Sequence, residues 1–263
     1  MTKNLVDIRR DGPVVTVLIN RPERMNALNR EAWRQLGAVF ADTINPDMEI
    51  RCVVVKGEGG RAFAAGADIA EFAEARADAA QAARYDTIMR DGLAMVAACP
   101  HPVIAQIAGP CVGGGLELAA LCDLRISGRS GRFGVPVGKI AVTMTLPELA
   151  QVQRLIGSAA MMEILLEARV FDAAEALAKG LVHRVVEDEA LEEEVAATVR
   201  RITANAPLVN RRHKALVRLA DSRGAGPFSE AEQALAYDCL ATADHAEGMA
   251  AFAAKRPARF TGR

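Results

Sequence analysis

The sequence alternates between short apolar runs rich in β-branched residues and longer stretches rich in alanine and leucine. The short runs are apolar on both faces, which is typical of strands covered on both sides of a sheet. These runs lie at 14–19, 52–56, 103–107, 124–127 and 182–186. Because parallel strands are joined by long crossovers, this alternation predicts an α/β fold with largely parallel pairing.

The stretches between the apolar runs have helical spacing. Segment 29–43 begins with Asn29, an N-cap candidate, and its apolar residues form one stripe. Segment 69–98 predicts one long helix, and 158–167 predicts another. Segment 172–179 predicts a helix that ends at Gly180, a residue type common just past helix ends.

The strand pattern ends near residue 187, and the remaining segments predict helices. They span 187–205, 206–221, 229–242 and 244–255. We therefore predict an α/β core over residues 1–200 and a helical C-terminal subdomain over residues 201–263.

Charge and cysteine usage exclude several classes of protein. The 32 basic and 33 acidic residues nearly balance, which argues against a general nucleic-acid binder. The five cysteines contain no C-x-x-C pair, so neither a disulfide framework nor a zinc site is indicated. No signal-peptide pattern and no run of about 20 apolar residues is present. We expect a cytoplasmic protein with no metal, no nucleic-acid partner and no membrane partner.

A loop of small residues separates the run at 52–56 from the segment at 69–98. It contains Ala64, Ala65, Gly66 and Ala67, and small side chains allow a ligand to approach the backbone closely. Asp68 follows them and is an N-cap candidate for the next helix.

The second notable loop contains three consecutive glycines, Gly113, Gly114 and Gly115, between a strand and a helix. Free N–H groups at a helix start stabilise negative charge, including charge that develops on an oxygen during a reaction. Glu117 lies in the first turn of this helix. The spacing leaves two interpretations of Glu117 open, an acid/base group or an acid favoured there by the helix dipole. Neither a dinucleotide fingerprint nor a P-loop is present.

Together, the segments 63–69 and 113–123 resemble the oxyanion-hole loops of the enoyl-CoA hydratase/isomerase (crotonase) superfamily. The resemblance covers essentially the whole chain. Further segments match in family order, at 21–28, 132–136, 153–157, 173–185 and 247–252. The resemblance implies a crotonase-like spiral of ββα repeats with a helical C-terminal trimerisation region. It also implies acyl-CoA thioester substrates and a homo-trimer, often paired into a hexamer.

The resemblance also implies residue roles. The N–H groups of Ala67 and Gly114 would hold the thioester oxygen, and Glu117 would be a catalytic acid/base group. Arg24 is a candidate for the CoA phosphates, with an ordinary surface arginine as the alternative. Coenzyme A enters only as part of the substrate, and no separate cofactor is implied. The other implied substrate-binding residues are Ala27, Ala65, Asp68, Ile69, Gly113, Pro136 and Val137.

The sequence departs from the family pattern because it lacks one catalytic carboxyl group. Hydratases of this family carry a second glutamate after Phe-Gly-x-Pro, and here that position is Val137. The following segment, 138–151, is longer than the usual pattern and contains Glu148. Glu148 either replaces the missing acid or is simply a first-turn residue of a helix that follows Pro147.

The leading functional hypothesis is a lyase of fatty acid metabolism that hydrates a 2-enoyl-CoA thioester. One alternative is double-bond isomerisation, in which a single carboxylate such as Glu117 carries a proton between two carbons. The loss of the second glutamate at Val137 motivates another alternative, a catalytically idle CoA-binding or scaffold protein.

Overall fold

The computed structural model describes residues 4–223 and 226–263. The strands are β1 Val6–Asp11, β2 Val14–Ile19, β3 Cys52–Gly57, β4 Val103–Ile107, β5 Pro110–Val112, β6 Leu124–Gly128, β7 Arg132–Gly134, β8 Phe171–Asp172 and β9 Arg184–Val186. The helices are α1 Arg30–Ala38, α2 Ile69–Ala75, α3 Ala79–Ala97, α4 Gly114–Leu121, α5 Leu146–Glu167, α6 Ala173–Ala178, α7 Leu191–Thr203, α8 Pro207–Arg223, α9 Glu230–Ala234 and α10 Ala243–Ala253.

The strands form two sheets. The larger one has the order β1-β2-β3-β4-β6-β9, and the smaller one has the order β5-β7-β8. The β1–β2 hairpin is antiparallel, whereas β2, β3, β4, β6 and β9 pair in parallel. The predicted α/β fold with largely parallel pairing is therefore confirmed.

The large sheet is covered on both faces, as its apolar strands predict. Val53 and Val55 of β3 belong to the main core with Trp33 of α1. Cys52 and Val54 of the same strand face a second cluster, to which α7 contributes Leu191 and Val195. Because side chains alternate across a strand, each face of β3 contacts a different helical layer.

Helices α1 and α3 pack closely, since glycines meet at their crossing. A Cβ atom on Gly37 would lie 3.2 Å from the Cα atom of Gly92. A Cβ atom on Gly92 would lie 2.7 Å from the carbonyl oxygen of Trp33. This contact places the start of α1 beside α3, and both helices contribute walls to the cavity described below.

One helix prediction is wrong in detail, and another is confirmed. Segment 69–98 is two helices, because the Asp78 side chain accepts a hydrogen bond from the Gln81 N–H at 2.7 Å and so caps a new helix, α3. Segment 158–167 is confirmed as a helix, and another helical stretch, which begins at Leu146, precedes it. The two parts meet at Gly157, whose φ of 75° and ψ of 166° produce a kink that suits glycine alone.

The C-terminal region is helical, with one further correction. Segment 229–242 contains the short α9 followed by a 3₁₀ turn, Asp238–Ala241, rather than one helix. The C-terminal tail is fixed by Asp244 of α10, whose carboxylate accepts hydrogen bonds from the N–H groups of Thr261 and Gly262. The division at residue 200 and the trimer or hexamer stay predictions.

Candidate active site

Three segments of backbone are hydrogen-bonded together around the predicted oxyanion-hole loops. The Ala64 N–H donates to the Pro110 carbonyl at 3.0 Å, and the Val112 N–H donates to the Ala64 carbonyl at 3.1 Å. The Leu28 N–H donates to the Gly66 carbonyl at 2.8 Å. The first loop is therefore fixed between the second loop and the turn that precedes α1.

Glycine is required where the two loops touch. Gly66 has a φ of +103°, and a Cβ atom there would lie 3.0 Å from the Val112 carbonyl oxygen. A Cβ atom on Gly115 would lie only 2.3 Å from the Ala64 carbonyl oxygen. Larger residues would separate the loops and turn their N–H groups away from the cavity.

The N–H groups of Ala67 and Gly114 lack partners among the backbone hydrogen bonds of residues 4–223 and 226–263. Gly114 is the first residue of α4, so its N–H has no acceptor within the helix. Both residues line one cavity of about 360 Å³. The structure thus places at one cavity the two residues whose N–H groups the family resemblance implies as oxyanion donors, and that role stays a prediction.

The cavity is walled by the two loops, by helices α1, α3, α4 and α5, and by the segment before α5. Of the predicted substrate-binding residues, five line it: Ala65, Ile69, Gly113, Pro136 and Val137. Its other lining residues include Trp33, Tyr85, Met89, Ile140, Val142 and Met144, which give it a mainly apolar surface.

Glu117 faces this cavity from the first turn of α4. It is 6% exposed, and its Oε2 atom has no hydrogen-bond partner among the described residues. Burial raises the pKa of the Glu117 carboxyl to about 8; the charges of Glu148 and Asp86 add to this effect, and Arg76 opposes it. Its protonation state therefore changes near neutral pH, which suits an acid/base group.

Glu148 faces the same cavity from the first turn of α5. It is 1% exposed, and neither of its carboxyl oxygens has a hydrogen-bond partner within the described part of the chain. Burial raises the pKa of this carboxyl, while the charges of Arg90 and Arg76 oppose the shift. The position of Glu148 is compatible with both interpretations, a replacement for the missing acid or an ordinary first-turn residue. A residue in the first turn of α5 reaches the cavity in either case.

Three predicted substrate-binding residues lie outside the cavity wall. Asp68 pairs with Arg21 at 2.6 Å and accepts a hydrogen bond from the Ala70 N–H at 3.1 Å, so its carboxylate caps α2. Ala27 is buried, and its carbonyl accepts a hydrogen bond from Arg21 at 2.6 Å. Arg24 is exposed at the end of the 3₁₀ turn Pro22–Arg24. Their roles in binding stay predictions.

Sequence reasoning missed an ion pair at the cavity. Arg76 lines the cavity, and its Nη2 atom lies 2.7 Å from Oδ1 of Asp86. The Arg76 guanidinium also lies over the Tyr85 ring, 5.7 Å from its centroid. The sequence marks only Asp86, a charged residue beside the apolar stripe of α3 that contains Tyr85, Met89 and Leu93; it gives no signal for Arg76 as the partner.

The described residues hold neither a metal-ligand cluster nor a membrane-spanning helix. Residues 4–223 and 226–263 contain no group of three or more His, Cys, Asp or Glu that could hold a metal ion. None of the helices described for this chain is long and apolar enough to cross a membrane.

Two backbone donors beside a buried carboxyl pair are typical of sites that stabilise an oxyanion and transfer a proton. The chain belongs to the enoyl-CoA hydratase/isomerase family, whose model, described as "Enoyl-CoA hydratase/isomerase", matches residues 9–263. It is therefore an enzyme of the hydratase/isomerase family with the crotonase-like fold, as the resemblance implies.

Individual relatives agree with this assignment. A protein of Mycobacterium tuberculosis named "Probable enoyl-CoA hydratase echA8" is 36% identical over 264 aligned positions and 100% of each chain. A "Crotonyl-CoA hydratase" of Syntrophomonas wolfei is 32% identical over 96% of each chain. A crystal structure from Magnetospirillum magneticum, described as an "enoyl-CoA hydratase/ carnithine racemase", is 55% identical with a TM-score of 0.95, covering 100% of this chain and 97% of that one.

Proposed function

We propose that this protein hydrates a 2-enoyl-CoA thioester, with Glu117 and Glu148 as its acid/base pair. One observation carries the proposal: two buried carboxyl side chains from different helices line the cavity that Ala67 and Gly114 also line. The name of the crotonyl-CoA hydratase relative supports the same reaction.

In the proposed mechanism, one carboxylate of the pair removes a proton from water while the water oxygen forms a bond to C3 of the substrate. The C2–C3 π electrons move toward the thioester, whose oxygen gains enolate charge. The N–H groups of Ala67 and Gly114 stabilise that charge. The enolate then collapses, and the protonated carboxyl of the pair delivers its proton to C2.

This mechanism needs one proton shared by the pair at neutral pH. Burial raises the pKa of both carboxyls, and the charge of Glu148 raises the pKa of Glu117 further. Like charges in an apolar cavity ionise one after the other, so the pair passes through a state with one carboxyl and one carboxylate. Val137, which lines the same cavity, supplies no proton and leaves the second role to Glu148.

The substrate's CoA portion would enter beside the exposed rim of the cavity. Ile69 lines this cavity and is 84% exposed, and Ala65 of the preceding loop also lines it, with its N–H already donated to the Met25 carbonyl. Arg24 is exposed and able to approach the CoA phosphates. Asp68 would contribute indirectly, since it fixes the start of α2 and pairs with Arg21.

Double-bond isomerisation is the second candidate, favoured by Val137 at the position where family hydratases carry their second glutamate. In that reaction Glu117 alone would move a proton between two carbons of the acyl chain. No water oxygen would enter the product, which separates the two reactions experimentally.

The test incubates the purified protein in H₂¹⁸O with crotonyl-CoA, 3-hydroxybutyryl-CoA and a 3-enoyl-CoA, and follows products by mass. Hydration predicts one ¹⁸O atom in 3-hydroxybutyryl-CoA formed from crotonyl-CoA, and Glu117→Gln should remove this activity. A matched control, Glu189→Gln, removes an exposed carboxylate outside the cavity and should leave turnover unchanged. Label-free conversion of the 3-enoyl-CoA alone would establish isomerisation instead, and no conversion of any substrate would indicate an idle CoA-binding protein.

A further inference from the structure

The Arg76–Asp86 ion pair is a partly buried pair of charges, and Arg76 lies in the wall of a mainly apolar cavity. The Arg76 side chain is 19% exposed and the Asp86 side chain is 10% exposed. Arg76 lies in the break between α2 and α3, and Asp86 and Tyr85 of α3 hold its guanidinium from two sides. Burying such a pair requires compensation by neighbouring groups, since desolvation of both ions is unfavourable.

The charged groups around the two cavity carboxyls come from three directions. Helix α3 contributes Asp86 and Arg90, and the break before it contributes Arg76. Lys139 lines the cavity from the turn before α5 but is exposed. The pKa of both Glu117 and Glu148 is lowered by Arg76 and raised by Asp86. Asp86 thus adds a third acid to the pair, and Arg76 offsets it.

We propose that Arg76, anchored by Asp86 and Tyr85, is a positioning residue that serves as the counter-ion of the Glu117–Glu148 pair. This role of Arg76 rests on the proposed hydration, because Arg76 would keep one of the two glutamates ionised and able to accept a proton from water. Arginine suits this role, since its guanidinium stays charged throughout the working pH range.

The geometry favours action through charge rather than through a direct bond. Arg76 donates from Nη2 to Asp86, while both oxygens of Glu148 lack hydrogen-bond partners among the described residues. These oxygens are therefore left for water or substrate. A direct salt bridge to Glu148 would instead occupy the oxygens that the mechanism uses and would hold that carboxyl permanently ionised.

Two substitutions, each of which removes one charge of the ion pair, provide the test. Arg76→Met removes the cation and should move both limbs of the pH profile of kcat/KM to higher pH, by about one unit or more. Asp86→Asn removes the neighbouring anion and should move both limbs to lower pH. Arg76→Lys, which keeps the charge, should return the profile toward that of the wild type. Arg84→Met is the matched control, because Arg84 is an exposed arginine on α3, the helix of Asp86, and its removal should cause no shift.

A second readout does not depend on turnover. Difference infrared spectroscopy follows the C=O stretch of the protonated carboxyls during a pH titration, and Glu117→Gln and Glu148→Gln assign the two bands. In this titration we expect Arg76→Met to move the carboxyl bands to higher pH and Asp86→Asn to move them to lower pH. If the protein hydrates no substrate and the infrared titrations still shift in opposite directions, the proposed function fails and the counter-ion role stands.

The counter-ion role is overturned if Arg76→Met and Asp86→Asn leave the titrations unchanged or move them in the same direction. A purely structural ion pair would give that result, since both variants would then lower activity and thermal stability without moving the profile. Should Asp86→Asn fail to fold, Arg76→Met and Arg76→Gln, compared with Arg76→Lys, still decide the sign of the shift.

Discussion

Glu117 and Glu148 lie in the first turns of two different helices, α4 and α5, and both side chains reach one cavity. Two helix N-termini therefore converge on this cavity, and each contributes partial positive charge. That charge favours an enolate oxygen, while burial raises the pKa of both carboxyls. The start of α4 thus carries both the Gly114 N–H, proposed to stabilise negative charge, and Glu117, proposed to hold a proton.

Glu148→Gln tests whether Glu148 supplies the second carboxyl that family hydratases carry at the position of Val137. Loss of one general acid/base group lowers kcat by about 10²–10⁴-fold, and we expect a decrease in this range with a smaller change in KM. Steady-state hydration of crotonyl-CoA at several pH values measures the effect.

Val137→Glu in the Glu148→Gln background provides the corresponding rescue experiment. Val137 lines the same cavity, so a carboxyl placed there should recover part of the lost rate. If the double variant is no faster than Glu148→Gln, Val137 does not face the reacting carbon. If Glu148→Gln retains wild-type kcat, Glu148 is not the second acid.

The α/β pattern of this fold could be predicted from the sequence because strands covered on both faces are continuously apolar. Strand β1 was missed because its polar sequence and exposed pattern are those of an edge strand. The break in segment 69–98 could not be predicted, because the alanine-rich sequence favours helix on both sides of it. Asp78 acts as an N-cap only where the chain turns, and the sequence does not show that turn.

The candidate site was only partly predictable, for a physical reason. Glu117 and the two glycine-containing loops lie in local motifs, so their roles follow from short segments. The Arg76–Asp86 pair depends on how α3 is rotated against α4 and α5, and no local pattern determines that rotation. The convergence of Glu148 on Glu117 depends likewise on the path of the segment before α5.

Glu117→Gln should stabilise the fold increasingly as pH rises. The pKa of Glu117 rises from 4.5 to about 8 on folding, so between these values the folded state holds a proton that the unfolded chain has released. The contribution of Glu117 to the free energy of unfolding is therefore fully present below about pH 4.5, and it is lost as the pH rises to about 8. Glutamine does not titrate, and the variant should gain a few kcal/mol over the wild type across this window.

Urea unfolding of both proteins at pH 5 and pH 8 measures this difference. Glu189→Gln, which removes an exposed carboxylate, should give the same difference from wild type at the two pH values. An unchanged difference between Glu117→Gln and wild type from pH 5 to pH 8 would contradict the raised pKa of Glu117 in the folded protein.

Gly66→Ala should disrupt the donor at Ala67. A Cβ atom at this position would lie 3.0 Å from the Val112 carbonyl oxygen, and the φ of +103° disfavours any side chain. We expect kcat to fall by about 10²–10³-fold, as for loss of one oxyanion donor. Gly12→Ala is the control, because Gly12 also has a positive φ but nothing lies within 4 Å of its Cβ position. It should reduce thermal stability while leaving kcat unchanged, and equal kcat in both variants would contradict the role of the Gly66 loop.

Asn26→Asp should destabilise the turn that holds the first loop in place. The buried Asn26 side chain accepts a hydrogen bond from the Arg21 N–H at 3.0 Å and donates to the carbonyls of Glu58 and Ala62 at 3.0 and 2.8 Å. An aspartate keeps the shape but loses both donors and turns a negative charge toward two carbonyl oxygens. The expected loss is about 2–4 kcal/mol in the free energy of unfolding, since buried polar groups lose their partners.

Equilibrium urea unfolding at pH 7 measures the loss for Asn26→Asp, and the control is Asn205→Asp. Asn205 is exposed, so this change should stay within about 0.5 kcal/mol of the wild type. Because Ala62 leads directly into the 63–67 loop, Asn26→Asp should also lower kcat for hydration under conditions where it remains folded. Wild-type stability in Asn26→Asp would show that the turn is held by the Arg21–Asp68 ion pair instead.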